Sequence, residues 1–198
     1  MTAVGADAWT GLPVRPVQAF TALGVVLLGC AALWPETAFC RPGVWAALAA
    51  FAAAAAFAME EAALEVARST PGSSSRWVAK VALAVLPLAS ALGALALVAQ
   101  RSNAVVWWVA AVELAGLLLA AAAITTALAG RLPAPAERVA EGVAMAVLVA
   151  CLGNPVGRWV EVLPLDDSGQ WDRTGVLWAG VTLVSVPLLV RGLRDPLG

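Results

Sequence analysis

Histidine and tyrosine are both missing from this 198-residue chain, and lysine occurs once, as Lys80. Without histidine the commonest general base and the commonest metal ligand are gone, which excludes Ser-His hydrolases, HExxH zinc helices and haem ligation through imidazole. Lys80 follows an alanine and no GxxxxGK[ST] loop occurs, so the chain cannot hold ATP in the P-loop manner. Nor is there a GxSxG elbow. Charge is also scarce: 13% of residues are charged, against about 25% in soluble domains. With Lys+Arg 12, Asp+Glu 13 and a net charge of −1, no basic surface remains for nucleic acid. The three cysteines, Cys30, Cys40 and Cys151, form no CxxC and have no histidine companion, so neither a redox motif nor a zinc site is supported. No catalytic residue, metal or cofactor is expected.

Apolar residues fill the space that charge leaves, at 62% of the chain where soluble proteins hold about 45–50%. A bilayer core about 30 Å thick is crossed by roughly 20 such residues in a helix, and six stretches qualify. The predicted spans are about 17–34, 44–66, 81–98, 104–129, 139–157 and 174–190. They make one all-α, polytopic transmembrane domain over residues 1–198. The second is free of charge only from Val44 to Ala58, and its remainder is expected to project past the membrane. The fifth is the weakest, because Asn154 and Pro155 can end it early. Val17–Trp34 reads as a retained helix rather than a cleaved leader, since no Lys or Arg cluster precedes it and no small-x-small site follows.

Orientation follows from Lys and Arg in the short connections. With the N-terminus inside, the inner segments hold Arg15, Arg68, Arg76, Lys80, Arg131, Arg138, Arg191 and Arg194, eight in all, against Arg41, Arg101, Arg158 and Arg173 outside. Both termini are therefore predicted cytoplasmic. Trp34, Trp45, Trp77, Trp107, Trp108, Trp159 and Trp171 fall near span ends, where an amphipathic ring suits the headgroup layer. Cys30 and Cys40 both lie toward the outer side, and a disulfide between them stays open. Small residues dominate every span, and small-xxx-small pairs such as Gly175 and Ala179 are too frequent to single out an interface.

Between the second and third spans, Glu61, Glu65 and Arg68 recur at i, i+4 and i+7, so a continuing helix would align them on one face. Thr70-Pro71-Gly72 stops that helix and Ser73 to Ser75 can cap the next, around Arg76. The connection reads either as a solvated turn or as a docking element for a cytoplasmic partner. The outer connection from Asn154 to Arg173 mixes Trp159, Val160, Val162 and Leu163 with Glu161, Asp166, Asp167 and Asp172, and can lie on the outer leaflet or dip into it. Glu113, about ten residues into the fourth span, is the candidate for a translocation pathway, because an ionisable group at that depth is costly. Glu141 lies three residues past Arg138, where a turn-spaced ion pair accounts for it. Thr125 and Thr126 are expected to bond back to their own helix.

The stretch Ala56-Phe57-Ala58-Met59-Glu60-Glu61-Ala62-Ala63-Leu64-Glu65, then Arg68-Ser69-Thr70-Pro71 and Arg76, resembles the small six-helix permease subunits of ABC-2 type (type V) ABC transporters, particularly those of actinobacteria. In such permeases a helix leaves the membrane through an acidic pair, turns at Thr-Pro or Ser-Pro and re-enters through basic residues. Met59 stands where an aspartate is frequent. Pro155, Trp159, Pro164, Trp171, Trp178 and the closing Arg194-Asp195-Pro196 are similar too.

The resemblance implies that the connection after the second helix, with Glu60, Glu61, Glu65, Arg68, Pro71 and Arg76, couples to a separate P-loop ATPase subunit. It also implies that the last outer connection holds short re-entrant helices. Two permease copies, or this chain and a homologous permease, would pair with two ATPase subunits in a bacterial cytoplasmic membrane to form an exporter. Two other classes stay open. An ion-coupled carrier would titrate Glu113, and a non-transporting scaffold, assembly or immunity protein would need no charge within the bilayer.

Overall fold

The computed structural model describes residues 13–34, 40–60, 73–101, 107–129, 131–153 and 171–194. These hold six helices and, among the described residues, no strand: α1 (Val14–Leu33), α2 (Cys40–Met59), α3 (Ser73–Arg101), α4 (Trp107–Leu128), α5 (Pro135–Gly153) and α6 (Trp171–Arg194). Each expected span overlaps one helix, and the all-α expectation holds over the described residues. The Asn154-to-Gln170 part of the acidic outer connection lies outside the described residues.

Four of the six are long and apolar enough to cross a membrane, over Val14–Leu33, Pro42–Met59, Trp108–Leu128 and Arg173–Arg191. In α3 the apolar stretch shortens to Ala82–Val98. Its first turns, Ser73 to Lys80, carry three serines, Arg76 and Lys80. In α5 the first turns carry Glu137, Arg138 and Glu141, and its start at Pro135 rather than near Val139 brings Glu137 and Arg138 inside the helix as well. Proline favours this first position because its fixed φ suits the helix and the missing N–H has no partner there in any case.

The bundle is built around α2. Of its apolar stretch, 83% is buried inside the protein, against 61% for α4, 33% for α1 and 22% for α6. Composition explains that placement: Ala52–Ala56 is an unbroken alanine run, and small side chains let several helices approach one axis closely. Helices α1, α3, α4 and α5 all pack on α2, while α6 packs chiefly on α4.

Helix α1 runs antiparallel to α2. Gly24 meets the Phe51 ring, Phe20 stacks on Phe57 with centroids 5.5 Å apart, and Val17 packs with Ala54 and Ala58. Helices α4 and α6 run parallel: Gly175 faces Trp108 near the start of both, and farther along Gly116 faces Trp178 and Thr182. Leu28, Trp45, Leu48, Phe51, Leu114 and Trp178 belong to one continuous core. None of the three cysteines is in a disulfide, which closes the Cys30–Cys40 option. The two threonines behave as expected, with Thr125 Oγ1 donating to Ala121 O at 2.8 Å and Thr126 Oγ1 to Ala123 O at 2.9 Å.

Candidate functional site

Among the described residues Glu113 is the one ionisable side chain in the buried core, with no solvent exposure at all. The apolar face of α4 puts it there. Ala110, Leu114, Leu117 and Ala121 join the core around α2, Gly116 faces α6, and at about 100° per residue Glu113 points between those two directions. Its side chain therefore enters the seam where α4 meets α2 and α6. Neither carboxyl oxygen has a hydrogen-bond partner among the described residues. An unsatisfied buried carboxyl costs on the order of a few kcal/mol, so it is not retained for stability.

Trp45 is the residue that the sequence misplaces. Its position five residues into α2 reads as a headgroup anchor, yet the ring is fully buried and its Nε1 likewise has no partner among the described residues. The reason is that α2 is surrounded, so its end faces neighbouring helices rather than lipid headgroups. Trp45 shares an i, i+3, i+7 row with Leu48 and Ala52, the one sequence signal of a core-facing ring. Trp34 and Trp108 keep the exposure expected of span ends.

A second feature lies at the opposite end of α2. The helix stops at Met59, where the Glu60 N–H bonds Phe57 O at 3.1 Å in a tightened last turn. The Glu60 carboxylate then accepts a hydrogen bond from the Ala136 N–H, long at 3.4 Å, in the first turn of α5. Four backbone N–H groups are unsatisfied at a helix start, and an acid there also meets the positive end of the helix dipole. The turn before α5 is shaped to present that end: Arg131 N and Leu132 N both bond Leu128 O, and Ala134 takes φ 48. Partial burial raises the Glu60 carboxyl above its ordinary range. Nearby Glu137 adds to the rise, and the Ala136 N–H opposes it.

Of the residues assigned to coupling, Glu60 is thus tied into the bundle, and Arg76 lies in the first turn of α3. Glu61, Glu65, Arg68 and Pro71 lie outside the described residues, as does the expected helical continuation past Met59. Glu60 and Glu113 are not brought together, since they lie toward opposite ends of the helices that carry them. No three His, Cys, Asp or Glu side chains converge as a metal site among the described residues.

Six packed helices, four of them able to span a bilayer, make this a helical membrane protein. No protein-family model matches the chain, and no curated protein or solved structure matches it either.

Proposed function

We propose that the chain is the membrane-spanning permease subunit of an ATP-driven transporter of the ABC-2 type, an exporter, with all six helices crossing a bacterial cytoplasmic membrane and both termini in the cytoplasm. The resemblance over Ala56 to Arg76 makes the connection between α2 and α3 the element that a separate P-loop ATPase would grip. The observation that carries the reading furthest is the bond from Ala136 N to Glu60. Because Glu60 joins the start of that connection to α5, a push on residues 61–72 would act on α2 and α5 together. Closure of the ATPase dimer would then rock a pair of helices instead of bending one loop. A second permease, identical or homologous, would complete the route.

The test is charge reversal at Glu61 and Glu65, each to Lys, in vesicles reconstituted with the partner ATPase. Transport is expected to be lost while ATP hydrolysis and membrane insertion persist. Unchanged transport overturns the coupling role.

The buried Glu113 supports a second reading, that of an ion-coupled carrier. Under it, transport proceeds without any ATPase and Glu113→Gln abolishes it. A single deep acid is a sparse relay, since proton pathways ordinarily carry several, and the permease reading is preferred.

A further inference from the structure

Two buried groups that do not bond each other lie at one level of the bundle. The Trp45 indole N–H is a donor and the Glu113 carboxyl offers acceptors; neither has a partner among the described residues, and both residues are fully buried.

Their heights follow from the end that α2 and α4 share. Glu60, directly after α2, bonds Ala136, and Ala136 follows the short turn that leaves α4 at Leu128. Trp45 precedes Glu60 by 15 residues and Glu113 precedes Leu128 by 15, about 22 Å along each helix at 1.5 Å per residue. The two side chains are therefore level to within about one helical turn.

Their faces agree as well. Phe51 faces Gly24 of α1, and Trp45 is turned about 120° away from Phe51 around α2, toward the side that α4 and α5 occupy. Glu113 is turned about 60° from Gly116 around α4, on the side of Ala110 and Leu117, which join the core around α2.

The chemistry narrows what can sit between them. A metal ion or an ammonium group can neutralise a carboxylate, but it has no lone pair for an indole N–H. An O–H group has both a lone pair to accept from Trp45 and a hydrogen to give to Glu113, and water is the smallest species that carries one. We propose that Trp45 and Glu113 hold one water between α2 and α4, a hydrated polar site inside an otherwise apolar bundle. That water gives Glu113 a proton-exchange partner inside the bundle. The site stands whether or not the chain is a permease.

The protein is labelled with 15N-tryptophan in nanodiscs of phosphatidylcholine, a lipid whose headgroup carries no O–H. Its indole signals are recorded by NMR, and the Trp45 signal is identified by its loss in Trp45→Phe. Should that variant fail to fold, single substitution of the other eight tryptophans identifies the signal by elimination. The expected result is magnetisation transfer from water to the Trp45 indole proton in the wild type, and loss of that transfer together with a shift of the signal in Glu113→Leu, which removes the acceptor. Absence of transfer in the wild type overturns the site. Transfer that survives Glu113→Leu unchanged also overturns it, because the water is then not shared. A shift in Glu113→Leu without wild-type transfer identifies a direct Trp45–Glu113 bond and removes the water.

Discussion

A Cβ built on Gly116 would lie 2.7 Å from Trp178 Cε3, and one on Gly175 would lie 2.8 Å from Trp108 Cζ3, whereas one on Gly142 or Gly180 meets nothing within 4 Å. Opposite signs follow for the same substitution. Gly116→Ala and Gly175→Ala force an indole ring to move in a packed seam, and overpacking of this kind costs about 1–3 kcal/mol. Gly142→Ala and Gly180→Ala only remove backbone freedom, so each stabilises by up to about 1 kcal/mol. Thermal unfolding of the four variants in one detergent checks the pattern, and a common sign for all four defeats it. Nothing in the sequence separates these glycines, because the difference is the ring that arrives from another helix. Glu113 was legible as an oddity for the opposite reason: a charge among apolar residues shows in sequence wherever its neighbours fall.

Helix ends show how local rules and packing combine. The sequence places α5 about four residues late, because its first charged turn does not look like membrane; in the structure that turn starts at Pro135 and its Ala136 N–H donates to Glu60. The raised Glu60 carboxyl has a stated sign. An acid whose folded value lies above its unfolded one favours folding when protonated, so its contribution is complete below the ordinary value of 4.5 and is lost as pH rises through the folded value. Wild-type stability relative to Glu60→Gln should therefore fall as pH is raised from about 4.5. A difference that grows with pH refutes the assignment, and pH-resolved melting of the two proteins measures it. At the same junction, Ala134 sits at φ 48, a left-handed conformation that costs a residue other than glycine on the order of 1 kcal/mol or more. Part of that gain is offset by the greater freedom of glycine when unfolded, about 0.4–1 kcal/mol. Ala134→Gly should still raise the melting temperature and Ala134→Val should lower it, since β-branching tolerates positive φ worst.

At the scale of the molecule, the proposed topology has a direct check. Reporter domains that are active only in the cytoplasm should be active when fused at either end, and a reporter after Arg101 should be silent. An active reporter there reverses the orientation taken from the Lys and Arg distribution. The permease and carrier readings separate at this scale too, by whether transport needs a second polypeptide that hydrolyses ATP. Composition alone determined that the chain is helical and membrane-embedded, because 62% apolar residues in uninterrupted runs leave water no way to satisfy the backbone, and a helix satisfies it within each run. The missing histidine and P-loop likewise exclude imidazole ligation and P-loop ATP binding by this sequence without any structure. What only the tertiary structure decided is which helix is central and which polar groups it buries. Those depend on neighbours distant in sequence: α2 is enclosed because its alanines admit four partners, Trp45 is thereby taken from the headgroup layer into the core, and Glu60 meets α5 across a turn that no local pattern foretells.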